Sequence, residues 1–220
     1  MRPGAGRVPV GVLASGGGTN LQALLDAEED PDWPARIAVV VSNRADAHAL
    51  ERARQRGVPA IHLPRRRDQP REAHDAALVQ VLTEHGVQWL CLAGYMLLVS
   101  PVLLRAFPDR VLNIHPSLLP AFPGLHAQAQ ALAHGARIAG CTVHLVDEGC
   151  DTGAIICQGA VPVLPDDDAL RLAQRILAVE HRLYPRALAW AVEGRLRMEG
   201  RRVHVDLPPG EHPWLWGGAG

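Results

Sequence analysis

The sequence predicts an α/β fold, a Rossmann-like and mostly parallel sheet flanked by helices on both faces. Three observations carry that expectation. Short apolar runs alternate with amphipathic stretches along most of the chain, the pattern of a parallel sheet wrapped by helices. The first run ends in a glycine-rich turn, Ser15-Gly16-Gly17-Gly18-Thr19-Asn20, that opens into a helical pattern. A later run, Arg110-Val111-Leu112, leads into Asn113-Ile114-His115-Pro116. Polar residues at the carboxyl end of a strand are where open α/β sheets bind ligands.

Strands are expected at residues 9–14, 37–42, 60–63, 89–93 and 110–114, where apolar and β-branched residues cluster between turn residues. Helices fill the intervals at 20–27, 45–56, 71–85 and 101–107. Beyond a Pro-rich loop come a helix at 127–134 and two strands at 141–146 and 154–163. A long helix follows from 168 to 192, with Leu170, Ala173, Ile176 and Leu177 at helical spacing. Residues 201–205 form the last expected strand. No internal repeat or linker interrupts the pattern, so a single domain over 1–207 is expected, with a C-terminal tail over 208–220.

Composition narrows the chemistry. At 220 residues the chain is long enough for one α/β domain with a sizeable core. A formal net charge of -1 offers no argument for nucleic acid or an anionic membrane surface. All 22 basic residues are Arg, which excludes Schiff-base chemistry, pyridoxal-phosphate attachment and a P-loop lysine. Cys91, Cys141, Cys150 and Cys157 form no C-x-x-C pair and lie in or near apolar segments. Reduced, buried thiols in a cytoplasmic protein are expected. Arg2 and Arg7 precede an apolar run that breaks into glycines too soon for a signal peptide. No segment reaches the ~18–20 apolar residues that span a bilayer.

Three elements carry candidate chemistry. Asn113 and His115 are two apart in a strand and so project from one face. Pro116 and Pro120 stop that strand. An amide donor beside an ionisable ring suits a reaction that builds negative charge on oxygen and moves a proton, with a satisfied structural His as the alternative. The glycine-rich turn presents bare N–H groups at a helix N-terminus, which Thr19 or Asn20 can cap. A monophosphate ester is its natural ligand, and a tight turn without ligand is the alternative. The loop Asp147-Glu148-Gly149-Cys150-Asp151-Thr152-Gly153 brings carboxylates to another strand end. There Asp151 can approach His115, orient it and favour its imidazolium form; the alternatives are a solvated acidic turn or a divalent-metal site. The spacing of Asp147, Glu148, Asp151 and His115 matches no known metal-ligand signature.

Taken together, these segments resemble the phosphoribosylglycinamide formyltransferase family. The resemblance runs through SGGGTNLQALL, VVVSNRADAHALERARQRGV, CLAGYMLLVSP, VLNIHPSLLPAFPGLHAQAQAL, GCTVHLVDEGCDTGAIICQ and AVEHRLYP, roughly residues 8 to 205. NIHPSLLP marks the wider formyltransferase superfamily; SGGGTNLQ and VVVSNRADA narrow it. The methionyl-tRNA formyltransferases add a C-terminal domain and the formyltetrahydrofolate hydrolases an N-terminal one, and neither has a counterpart in this sequence.

The resemblance implies a formyltransferase fold and a role in de novo purine biosynthesis, with 10-formyltetrahydrofolate as co-substrate and no metal. Asn113, His115 and Asp151 fall on the family's catalytic Asn, His and Asp. Asn113 and His115 would stabilise the tetrahedral oxyanion, and Asp151 would orient and charge His115. Gly18, Thr19 and Asn20 would hold the phosphate of glycinamide ribonucleotide, and Glu180 would grip the same substrate. The pterin would lie against Leu92, Tyr95, Met96, Leu97, Leu98 and Val99, beside Asn113 and the loop Asp147, Glu148, Gly149, Cys150 and Asp151. Arg71 matches an Arg associated with the folate's glutamate tail. The family has Arg where Leu97 stands here, which removes one contact to that tail. The implied partners are small molecules only, without nucleic acid or membrane, for a monomer or homodimer.

His144 reads as support for the same rim, and His126 and His134 as surface residues. The run Arg65-Arg66-Arg67 reads as a solvated charge run. The proline-bearing segment 116–125 is expected to move on substrate binding. Two other functions stay open: formyl transfer to a different amine, such as an amino sugar nucleotide, and a non-catalytic phosphate-binding α/β module. The short phosphate loop disfavours the first, and turnover of a 10-formyl folate separates catalysis from the second.

Overall fold

The computed structural model describes residues 6–218. Arg2 and the outermost ends of the expected domain and tail, residues 1–5 and 219–220, lie outside the described residues. Two compact units divide the chain, the first ending at Val111 and the second starting at Leu112.

The first unit holds β1 (Val8–Leu13), α1 (Thr19–Ala27), β2 (Ala35–Ser42), α2 (His48–Gln55), β3 (Ala60–His62), α3 (Arg71–Glu84), β4 (Trp89–Leu92) and α4 (Pro101–Ala106). Its strands run in the order β4-β1-β2-β3, and each of these pairings is parallel. Parallel strands covered by helices must be apolar on both faces, and the last four residues of β1 and the last six of β2 are buried without a break. Leu21, Leu24 and Leu25 supply the buried stripe of α1 at helical spacing. α2 does the same with Ala49, Leu50 and Ala53.

The second unit holds β5 (Val111–His115) from its second residue on, α5 (Ala127–Ala133), β6 (Ile138–Leu145), β7 (Ile155–Pro162), α6 (Ala169–Val192), β8 (Leu196–Glu199), β9 (Arg202–Val205) and β10 (Trp214–Trp216). β5–β6 and β6–β7 are antiparallel, whereas β10 joins β7 in parallel. α6 starts at Asp168, whose carboxylate accepts from the Arg171 N–H at 2.8 Å and so satisfies one of the helix's orphan donors. Its buried face packs on β6 and β7. There the fully buried Tyr184 donates from its hydroxyl to the Leu112 carbonyl at 3.1 Å, one residue before Asn113.

The α/β class and its mostly parallel pairing are as expected from the sequence, and element ends agree within a few residues. The C-terminal region differs. The last strand of the expected set is one half of a hairpin, β8–β9, turned at Gly200-Arg201. Residues read as tail include β10, which Trp214, Leu215 and Trp216 form against Gln158, Gly159 and Ala160 of β7. Three residues are too few to show an alternation pattern. Cys150 is exposed, correcting the expectation that all four thiols are buried; it sits in a polar loop whose Asp147, Glu148 and Gly149 are exposed as well. Among the described residues no helix is long and apolar enough to cross a membrane.

Tyr184→Phe is expected to lower stability by about 1 kcal/mol, the usual worth of a buried hydrogen bond, read as a lower urea midpoint at unchanged slope. An unchanged midpoint would show that the Leu112 carbonyl does not depend on this hydroxyl.

Candidate active site

β5 and β6 build the catalytic candidate by register. Their antiparallel pairing sets Asn113 opposite His144 and His115 opposite Thr142, and directly opposed residues on one face are within reach of each other. The Asn113 Nδ2 donates to His144 Nε2 at 3.1 Å. His144 Nδ1 lies 2.9 Å from the Leu145 carbonyl and must donate to it. The ring is thereby fixed as the neutral tautomer that accepts at Nε2.

Asp151 reaches this pair from the loop after β6. Its backbone is left-handed, with φ 56, a conformation that Asp adopts more readily than most residues. Two residues on, Gly153 passes so close to Leu145 that a Cβ would sit 1.6 Å from its carbonyl oxygen. The loop therefore folds tightly back on β6 and aims Asp151 inward. Its Oδ2 lies 3.2 Å from His115 Nδ1 and accepts from the Gly124 N–H at 2.8 Å. Its Oδ1 is 3.4 Å from Asn113 Nδ2 and 3.7 Å from His144 Nε2. Burial alone would push this carboxyl up. The His144 side chain, the Gly124 N–H and the charge of the His115 ring outweigh burial and hold it down, at about 2.

His115 is 5 % exposed, and both of its ring nitrogens face oxygen acceptors. Nδ1 faces Asp151, and Nε2 donates to the Phe122 carbonyl at 2.9 Å. Phe122 itself has φ 53 and sits in the Pro-rich loop, beside Gly124. The backbone of that loop thus caps two reactive groups at once.

Asn113, His115 and Asp151, singled out in the sequence, therefore meet in one cluster, His115 buried and the other two half-buried. His144, read there as support, touches both Asn113 and Asp151; the period-two spacing of Thr142 and His144 was its signal, but the register was not readable. The backbone roles of Phe122 and Gly124 left no sequence signal at all. Asp147 takes no part in the cluster: it accepts from Gly149 N–H at 3.1 Å and Thr152 Oγ1 at 2.6 Å within its own loop, and Glu148 is exposed. Glu180 is buried on α6.

In the first unit, Gly18 is the N-cap of α1, with φ 70 and no side-chain cap. This corrects the expectation that Thr19 or Asn20 caps the helix: a Cβ at Gly18 would lie 2.7 Å from the Ala49 Cα, so the tight left-handed turn itself starts the helix. After β4, Leu92 and Val99 are buried, Tyr95 and Leu97 half-buried, and Met96 and Leu98 are 62 % and 56 % exposed. Met96 and Leu98, two residues apart, thus leave apolar surface exposed just after β4. Arg71 is half-buried and forms no hydrogen bond or ion pair among the described residues.

The stability contributed by the Asp151 carboxylate has a definite sign. Its pKa lies below the ordinary 3.8, so the contribution is present above that value and is lost as pH falls through about 2. Asp151→Asn keeps the shape and tolerates the left-handed backbone. The variant is expected to be less stable than the wild type by roughly 2 kcal/mol at pH 7, with the gap closing between about pH 5 and pH 2. Chemical denaturation across that range measures it, and a pH-independent gap would remove the charge from the explanation.

Comparison with known proteins adds kinship to this geometry. The formyl transferase model matches residues 9–188, across both units. The trifunctional purine biosynthetic protein adenosine-3 of Drosophila melanogaster is 50 % identical over 190 residues, covering 86 % of this chain but only 14 % of that protein. The chain thus spans a small part of the trifunctional relatives it matches. The phosphoribosylglycinamide formyltransferase of Escherichia coli is 40 % identical over 201 residues, covering 90 % of this chain and 95 % of the relative. Among solved structures, glycinamide ribonucleotide transformylase 1 from Symbiobacterium toebii superposes with a TM-score of 0.88 at 57 % identity, covering 90 % of this chain and 94 % of that one. With an Asn–His–Asp cluster at its strand ends and a family match over most of its length, the chain belongs to the formyl transferase family.

Proposed function

We propose that this chain transfers the formyl group of 10-formyltetrahydrofolate to the amine of glycinamide ribonucleotide, a step of purine biosynthesis. The cluster of Asn113, His115 and Asp151 carries the reading, because it offers N–H donors and a proton carrier at one partly buried spot. The names of the Escherichia coli and Symbiobacterium relatives support the same acceptor.

The folate supplies an activated formyl carbon, and the ribonucleotide supplies the amine that attacks it. Negative charge then builds on the formyl oxygen. The protonated His115 donates to it from Nε2, and Asn113 donates the Nδ2 hydrogen held only weakly, 3.4 Å from Asp151. His144 keeps the amide turned the right way by taking its other hydrogen. Asp151 holds His115 in place through Nδ1 and balances its charge. As the carbon–nitrogen bond to folate breaks, the proton lost by the attacking amine returns to the departing nitrogen through this cluster and water.

Binding falls to groups with matching character. Gly18, Thr19 and Asn20 take the phosphate at the α1 N-terminus, and Glu180 serves the rest of the ribonucleotide. The apolar surface of Leu92, Tyr95, Met96, Leu97, Leu98 and Val99 suits a pterin, together with the backbone of Asp147, Glu148, Gly149, Cys150 and Asp151. Arg71, free of carboxylates, suits the glutamate tail. Leu97 adds apolar contact and no charge. Residues 1–207 act as one formyltransferase domain, in line with a family match that crosses both units. Four free cysteines fit a reducing, cytoplasmic setting, with the protein a monomer or homodimer.

Asn113→Ala and His115→Ala are each expected to lower kcat by about 10²–10³ while changing the KM for the ribonucleotide only a few-fold. Folate release from the 10-formyl substrate, followed spectrophotometrically with and without ribonucleotide, tests this. Release without acceptor would make the protein a hydrolase, and full turnover in either variant would remove that residue from the mechanism. The segment 116–125 must also shift, because the Phe122 carbonyl occupies the His115 nitrogen the substrate needs. Amide exchange at Gly124, bonded to Asp151 in the free protein, is expected to change on binding both substrates. An unaltered rate there would count against the movement.

A further inference from the structure

The phosphate loop is braced from α2 by an arginine whose charge is not spent on a carboxylate. Arg52 Nε donates to the Gly17 carbonyl at 2.8 Å, and its Nη1 donates to Gln22 Oε1 at 3.1 Å. Gln22 is fixed in turn, since its Nε2 donates to Asp26 at 2.8 Å. Next to Arg52 in space, the Ala49 N–H donates to the Gly16 carbonyl at 3.1 Å. Both loop carbonyls are therefore drawn toward α2.

In a trans peptide the carbonyl and the following N–H point in opposite directions. Tying down the carbonyls of Gly16 and Gly17 thus turns the N–H groups of Gly17 and Gly18 away from α2. Successive N–H groups turned one way form an anion-binding nest. Gly17 is exposed and Gly18 half-buried, and neither N–H donates to another described residue.

The neighbouring arginines are already neutralised: Arg44 pairs with Asp46, Arg54 with Glu51, and Arg56 with Asp26 and Glu29. Arg52 has no carboxylate within salt-bridge distance among the described residues and is half-buried. Its Nη2, which shares an edge with the Nε on Gly17, forms no hydrogen bond among them.

We infer that Arg52 is the positioning residue of the phosphate loop: it orients the Gly17 and Gly18 amides and sets an unneutralised guanidinium beside them, so the enzyme favours a phosphorylated acceptor. The inference rests on the ribonucleotide reading and deepens it. Lys cannot replace this residue, because a point charge on a flexible stem cannot hold the Gly17 carbonyl and Gln22 in one plane.

The test compares kcat/KM for glycinamide ribonucleotide with that for its dephosphorylated riboside, in the wild type, Arg52→Ala and Arg52→Lys. The preference for the nucleotide is expected to fall by about 10- to 100-fold in Arg52→Ala, the worth of a charge-assisted contact, and to recover only partly in Arg52→Lys. Equal losses on both acceptors would reduce Arg52 to a structural role and overturn the inference, as would full recovery with Lys. Inorganic phosphate provides the second measurement, which needs no turnover. It is expected to raise the melting temperature of the wild type more than that of Arg52→Lys, and equal shifts in the two would overturn the inference. A wild type that binds phosphate yet does not formylate the ribonucleotide would defeat the acceptor assignment while leaving the role of Arg52 standing.

Discussion

The Asp151 carboxylate is the constraint on which the catalytic unit is organised. A buried anion is tolerable only when donors saturate it, and here they come from separate places. His115 and Asn113 belong to β5, and Gly124 to the loop between β5 and β6. Satisfying one carboxylate therefore fixes the β5–β6 register, the course of the Pro-rich loop and the rotamers of three side chains at once. The left-handed turn at Asp151 and the missing side chain at Gly153 follow from the same demand, since a wider loop would leave the carboxylate short of β5.

Two histidines around one carboxylate are given different chemistry by their second contacts. His144 has a carbonyl at Nδ1 and an amide donor at Nε2, so it is held neutral and serves as an acceptor. His115 has a carboxylate at one nitrogen and a carbonyl at the other, an arrangement for a ring carrying two protons. Residue type alone does not separate acid from support; environment does. Because the carbonyl at His115 belongs to a loop and not to a strand, it can leave without breaking the sheet.

The same division explains what was legible in the sequence. Asn113 and His115 could be placed on one face because strand periodicity is local, and the SGGGTN turn could be read because glycine at a strand–helix junction has few other uses. Elements went unread where periodicity had no room to show, in the three residues of β10 and in the short hairpin strand β8. The contacts of His144 and Arg52 were not legible for another reason. Their roles depend on register and on helix packing, which bring residues 31 and 35 positions away into contact. Phe122 and Gly124 act through their backbone, where the side chain carries no information about the contact.

The two kinds of charge in the proposed reaction are met by two kinds of donor. A phosphate carries its charge before, during and after the transfer, so fixed backbone N–H groups suit it: they cost no rotamer entropy and have no proton to lose. The formyl oxygen is charged only in passing. It calls for groups whose hydrogen bonds strengthen as charge appears and whose proton can move on, which the backbone cannot supply. A chain with no Lys sharpens this contrast, because every positive side chain it has is a planar fork that must be held by partners to be useful. Arg52 is held by a loop carbonyl and a glutamine rather than by an acid, and such neutral partners fix a guanidinium in place while leaving its charge for a ligand.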